Sequence, residues 1–426
     1  MARLRISSDF LGIVLTARVA FSKRSWPYVT AMAIPWLLCA GQRCVTRLAG
    51  QGQLKRSLSG YYRFLSEGKW RMALLFRCLF DLAVRTFRLT DRVTLVLDDT
   101  LCPKWGRGIF GTGSFFDQVK RPRAGYIWGH NWVVLAVVVP MGRAGWVALP
   151  FWVALYRPRK GCKAREFRTR HALAIEALRA VRRWFSGAIR LLADGAYNNK
   201  SVVKPARALD IHLVSRLRRD ARLRAVKPRK QPKSKRGRKP TRGCWLPKLK
   251  TLARGGRAFR TERVKIYGKT VTLRVREFVA YWPALGCVLK VVITRDPKRK
   301  RRVAYLTSTD LSMSAAQIIE SFAQRWSIEQ LFAVAKNQLG LDSAEVRKEN
   351  AVRRHAAFCM ALATWVQVWA YRFHPRLRTR SFAAQLAALR EDTIKETIFA
   401  SGPRTQESRR IACTLGSLYA TATATM

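Results

Sequence analysis

Carboxylates are scarce in this chain, and several stand where apolar segments end. "LVLDDT" runs into Asp98 and Asp99, "LLADGAY" into Asp194, and "SFAQRWSIEQLFAVAKNQLGL" (321–341) carries Glu329. A carboxylate closing an apolar strand is costly to desolvate unless it is hydrogen-bonded, ion-paired or holding a metal ion. Taken singly, each Asp reads first as a turn or helix-cap residue; two in one presumptive sheet shift that balance towards a shared ligand. At about 100° per residue, Phe322, Arg325, Glu329 and Lys336 fall within about 60° of one another on a helix. That stripe reads either as a solvated i,i+4 Arg–Glu pair or as an acid flanked by two phosphate-gripping cations.

The rest of the charge points to the partner. The 426 residues carry 82 Lys+Arg against 25 Asp+Glu, a formal net charge of +57. Each cation placed on a phosphate releases condensed counterions, so nucleic acid is the first candidate partner and an anionic membrane surface the second. Apolar runs such as 28–41 and 131–140 are too short or too interrupted to span a bilayer, and the N-terminus lacks a convincing secretory cleavage signal. The nine cysteines include no C-x-x-C pair and histidines number five, which argues against structural zinc and for reduced thiols in a cytoplasmic protein. With 49% hydrophobic residues the chain has enough apolar content for a sizeable core.

These residues need elements to hold them. Residues 1–90 mix apolar and basic positions at helical spacing, read as a DNA-binding helical domain or as a bundle with a solvated basic face. The period then changes. "RVTLVLDD" predicts a strand, 131–156 an antiparallel hairpin turning at "MGRAG", 164–185 a helix, and 188–197 a strand ending in Asp194. A short helix at 201–209 and a strand at 210–217 complete a mixed α/β sheet layered by helices. Residues 218–243 are almost all Arg, Lys, Pro and Gly, a solvated loop whose "RGRKP" resembles a minor-groove hook. A small β-rich insertion comes next, with Gly268 at a hairpin turn, then a last strand in "RRVAYLTST". Ser314 and Gln317 form a capping box that starts one helix running to Leu339, stopped by Gly340. Further helices fill 343–400, and the tail from 401 is expected to fray. His130 and Asn131, on the hairpin strand, read as structural.

The spacing aromatic-x2-Arg-x3-Glu-x6-Lys resembles the Y-R-E-K signature of one large branch of DDE insertion-sequence transposases. "LDDTLCPKWG" resembles that branch's first-acid segment, "LLADGAYNN" its second, and residues 305–347 its last strand and catalytic helix. "YYRFLSEGKW" (61–70) is similar to a motif upstream of the core. The likeness spans about 60–370, with Phe322 where the family usually has Tyr, so the hydroxyl's contact with DNA is missing.

The resemblance implies a ribonuclease H-like mixed sheet flanked by helices, with an N-terminal helical domain and a β-rich insertion between the second acid and the Glu. The 135 positions from Asp194 to Glu329 leave room for one. The implied domains are 1–90, 91–217, 218–302 and 303–400. The resemblance also implies a bacterial, cytoplasmic, nucleoid-associated enzyme that nicks its element's ends and joins them to target DNA. Asp98, Asp194 and Glu329 would hold two Mg²⁺, with Mn²⁺ tolerated. Asp-x-Thr favours Asp98 over its alternative, Asp99. Phe322, Arg325, Trp326, Lys336 and Lys104 would contact DNA, Trp326 by stacking on a displaced base or else as a core residue. Implied partners are double-stranded DNA (terminal repeats and target) and a second copy in a DNA-bound homodimer; no membrane is implied. The alternative is a transposase-derived DNA-binding protein that has lost catalysis.

Overall fold

The structure is a computed structural model that describes residues 7–399, apart from 40, 42, 51–55, 118–124, 144, 227–242, 257 and 299. The "RGRKP" segment and the tail expected to fray lie outside the described residues.

Five helices open the chain: α1 (Ser8–Leu15), α2 (Trp26–Leu38), α3 (Val45–Gly50), α4 (Leu58–Ser66) and α5 (Met72–Phe87). Strands β1 (Arg92–Pro103), β2 (Gly113–Phe116), β3 (Tyr126–Val139) and β4 (Val147–Tyr156) come next. Then come α6 (Arg170–Trp184), β5 (Ala188–Ala193), α7 (Lys200–Ala208), β6 (Ile211–Arg216) and α8 (Leu249–Leu252). Strands β7 (Arg260–Ile266), β8 (Lys269–Trp282), β9 (Cys287–Arg295) and β10 (Ala304–Ser308) precede the last helices. Those are α9 (Ala315–Gln324), α10 (Ser327–Asn337), α11 (Glu349–Phe373) and α12 (Phe382–Phe399).

The strands form one ten-stranded mixed sheet in the order β2-β3-β1-β5-β6-β10-β9-β8-β7, with β4 also paired to β3. A mixed sheet flanked by helices is the architecture of a ribonuclease H-like fold. β1, β5 and β6 are parallel, and their paired centres (Leu95–Leu97, Leu191–Ala193 and Leu213–Val214) are apolar and buried, as strands covered on both faces must be. The β3–β4 hairpin is antiparallel, and its register shifts at Leu135/Ala136 so that Phe151 is the extra residue. Pro150, which cannot donate to a ladder, sits beside that bulge. The β7–β8 hairpin closes on two residues, Tyr267 and Gly268, both with positive φ (52° and 76°), as a type I′ turn requires.

The β-rich insertion at 218–302 continues the core sheet: β9 pairs antiparallel with β10, and β10 with β6, so β7–β9 extend it. One expectation changes here. The single helix 315–339 is two helices. The capping box at Ser314 and Gln317 is present, but α9 ends at Gln324 and α10 starts at Ser327. Between them the bonds tighten to i→i+3, from Arg325 N to Phe322 O, Trp326 N to Ala323 O and Ile328 N to Arg325 O.

The chain divides into two compact units. One comprises Met1–Leu89, Asp99–Thr169 and Glu329–Met426. The N-terminal helices do not stand alone in it: α1, α4 and α5 pack against α11, which also covers β4. α11 is buried along most of its length and contributes Trp365, Trp369 and Phe358 to the core. Long-range polar bonds lock this packing, Trp36 Nε1 to Leu339 O at 2.9 Å and Thr364 Oγ1 to Pro150 O at 2.6 Å. Gly340 does close the segment after α10, at φ +71°.

His130 and His355 are buried in this unit, and burial pushes their imidazoles down to about 4 and about 3. Neutral His130 donates from Nε2 to Phe110 O at 2.9 Å. Because both folded values lie below the ordinary 6.5, the unfolded chain takes up protons first as pH falls. The stabilisation is present above pH 6.5 and drains away towards pH 4. By pH 5 the loss is about 2 kcal/mol per histidine. Urea midpoints should therefore fall between pH 7 and pH 5; a flat profile would contradict burial of two neutral imidazoles.

The other unit comprises Thr90–Asp98 and Arg170–Ile328. Here α9 lies on the sheet against β5, β6, β7, β9 and β10. Arg190 on β5 donates to Ser321 Oγ at 3.1 Å, and Lys265 N on β7 donates to Glu320 Oε1 at 2.8 Å. These bonds fix the end of α9 that leads into Arg325.

Candidate active site

The parallel β1–β5 ladder places two of the acids together. Its last paired rung is Leu97↔Ala193, so Asp98 and Asp194 are the next residue on adjacent parallel strands. Beyond these acids the two strands part ways. β5 ends at Ala193, whereas β1 continues through Asp98 and Asp99 to Pro103. Asp98 thus lies where the parallel ladder stops rather than where its strand stops.

Asp98 is half-buried and paired with Arg325, whose Nη1 lies 3.1 Å from Oδ2, with both side chains about one-fifth exposed or less. The Arg325 guanidinium also stands over the Phe322 ring, 5.7 Å from its centroid. The turn between α9 and α10 therefore delivers Arg325 to the first acid. Successive strand residues face opposite ways, so Asp99 does not share this environment.

Asp194 is half-buried, and its carboxylate has no hydrogen bond or ion pair among the described residues. Its backbone is held firmly: Ser215 Oγ donates to Asp194 O at 3.1 Å, and Asn198 Nδ2 donates to Arg216 O at 3.1 Å. A half-buried carboxylate without such a partner is costly to desolvate. Next to this turn is a cavity of about 410 Å³ lined by Asn198, Asn199, Lys200, Arg218 and Trp282. Sequence reasoning missed Ser215, Asn198 and Arg190; Ser215 could have been noticed as a polar residue inside the apolar strand "IHLVSR".

Glu329 lies in the first turn of α10 and is exposed. Lys336, seven residues on and so on the same helix face, donates from Nζ to Leu101 O on β1 at 2.7 Å. That bond gives it an anchoring role, tying α10 to β1 beyond the acids. Trp326 is half-buried, edge-on to Tyr267 at 6.0 Å between centroids.

Lys104 must be corrected. It is only 6% exposed, and its ammonium is bound to Asp342 O at 2.6 Å and Ala344 O at 3.1 Å. Burial lowers its pKa. It holds the loop after α10 to the end of β1 and is not placed to grip a phosphate. Among the described residues no group of three or more His, Cys, Asp or Glu side chains is gathered closely enough to hold a metal ion. No helix among them is long and apolar enough to cross a membrane.

The sheet is of the ribonuclease H-like kind, with Asp98 and Asp194 each one residue past the last rung of the β1–β5 ladder. The family described as DDE superfamily endonuclease matches residues 20–274, more than half of the chain, and the chain belongs to it. Membership implies transposase-type nuclease activity on a DNA substrate, and such enzymes typically use divalent metal ions. No curated protein sequence matches the chain.

Proposed function

We propose that the chain is a DNA transposase of the Y-R-E-K branch that nicks the ends of a mobile element and joins the freed 3′ ends to target DNA. The observation that carries this reading is the Asp98–Asp194 pair on adjacent parallel strands with Arg325 held on Asp98 at 3.1 Å. Asp98, Asp194 and Glu329 offer only hard carboxylate oxygens, the donor type that Mg²⁺ and Mn²⁺ prefer. Two such ions would supply an activated water or 3′-hydroxyl and offset charge on the leaving oxygen.

The chain's own residues do the rest. Arg325 orients the Asp98 carboxylate and keeps a guanidinium beside it, where a scissile phosphate would meet a planar pair of donors. Phe322 supports that guanidinium through its ring face. Ser215 and Asn198 fix the turn that presents Asp194. Lys336 pins α10, and through it the helix face bearing Glu329, to β1. Trp326 offers a ring on which a displaced base near the cut would stack. A pair of subunits would cut a pair of ends.

The test is nicking of the element's terminal repeats in Mg²⁺ by the wild-type chain and by Glu329→Gln. Nicking by the first and not the second is expected. Equal nicking by both would remove Glu329 from the active site, and none by either would favour a DNA-binding protein without catalysis.

A further inference from the structure

A cavity of about 970 Å³ whose lining includes none of Asp98, Asp194 and Glu329 opens in the unit that holds β5–β10. Six cations line it: Arg219, Arg222, Lys248, Lys250, Arg254 and Arg295. Its one acid, Asp220, is held bidentately by Arg218, Nε–Oδ1 at 3.1 Å and Nη2–Oδ2 at 2.8 Å. Among the described residues none of the six cations is in an ion pair. The floor is apolar, made by buried Leu249 and Ala253.

The wall is built rather than draped. Residues 221–226 and 243–246 form a short ribbon through Ala225 N to Cys244 O and Leu246 N to Leu223 O, both at 2.8–2.9 Å. Arg224 joins it to β8, exchanging backbone bonds with Tyr281 at 2.8 Å each way. On this ribbon Trp245 is 47% exposed and carries two guanidinium groups over its ring, Arg222 at 5.4 Å and Arg224 at 4.2 Å. Arg295 is held likewise over Phe259 at 5.3 Å. Aromatic rings thus position three of the local cations where carboxylates ordinarily would, without neutralising them.

All six cations are exposed, so the cavity is an open cationic trough whose summed potential attracts an anion. The space equals about thirty water molecules, too large and too highly charged for one small anion. We propose that this cavity is a second DNA site, separate from the carboxylates, that holds consecutive phosphates of duplex backbone. This rests on the DNA-processing reading above, and it adds where on the chain the DNA beyond the cut is gripped. Contacts of this kind position the duplex without reading its sequence.

The experiment compares three forms of the full chain: wild type, Lys248→Gln/Lys250→Gln/Arg254→Gln, and a control that removes three exposed cations elsewhere in the unit, Arg179→Gln/Arg183→Gln/Lys204→Gln. Duplex affinity is measured by anisotropy across a salt series, and melting temperature with and without duplex or pyrophosphate. The cavity variant should bind about tenfold or more weakly at 0.1 M salt, with the slope of log affinity on log salt reduced by about 2–3. Its melting temperature without DNA should stay close to that of wild type, because the three cations are exposed, and its nicking rate at saturating DNA should be unchanged. Equal losses in the control variant, an unchanged slope, or protection by pyrophosphate equal to that by duplex would overturn the site. Nicking is read separately, so an inactive wild type that still shows the affinity loss would count against the transposase reading and not against the cavity.

Discussion

Asp98→Asn should lower the nicking rate about a thousandfold or more while leaving DNA affinity and thermal stability nearly unchanged. Loss of a single preorganised charge contact at a reacting phosphate is of that order, and here a metal ligand and the Arg325 partner are lost together. Asn keeps the shape and burial of the side chain, so the strand is not disturbed. The neighbouring Asp99→Asn should cost less than about tenfold, an indirect effect, because the strand pleat turns it away from Arg325. The two variants differ by one position in sequence and by little in chemistry. A larger loss at Asp99 would shift the first acid by one residue.

The second large effect is structural and lies on the same strand. Gly129 on β3 passes so close to β1 that an added Cβ would stand 2.2 Å from Cys102 O and 3.0 Å from Pro103 Cα. Both neighbours are backbone and cannot rotate away, so β1 and β3 would have to separate. Gly129→Ala should therefore destabilise the chain by about 3 kcal/mol or more. It should also lower nicking at temperatures where the chain is still folded, because the displaced strand carries Asp98 and Asp99. A stable Gly129→Ala chain with full activity would show that β1 is not held by this contact. Chemical denaturation and a nicking assay on the same preparation separate the two readouts.

The strands that carry the acids were legible because burial on both faces demands continuous apolar residues, and "TLVL" and "RLLA" supply them. The β3–β4 hairpin and the Ser314 capping box were legible for similar local reasons. Sheet order was not, since nothing local in "RRVAYLTST" tells whether β10 runs parallel or antiparallel to β6. The continuation of β1 past Asp99 was hidden because two adjacent carboxylates read as a strand end; the pairing of its second half with β3 is a distant contact. The break at Arg325–Trp326 was missed because the apolar period runs through it without a Gly or Pro. Lys104 was misjudged for the reason lysines usually are: a flexible cation looks solvated until two carbonyls 238 and 240 residues away enclose it. At the site itself, the acid types and the Arg325 spacing were readable. The supporting bonds from Ser215, Asn198 and Arg190 are tertiary and left no pattern.

The central claim is that the Asp98–Asp194 pair binds the catalytic cation, and a ligand swap at Asp194 tests it most directly. Asp194→Cys replaces a hard oxygen with a soft thiolate that Mg²⁺ binds poorly and Mn²⁺ binds better. Nicking by this variant should be lost in Mg²⁺ and partly restored in Mn²⁺, while Asp194→Ala stays inactive in both. Wild-type nicking by Asp194→Cys or Asp194→Ala in Mg²⁺ would contradict the claim.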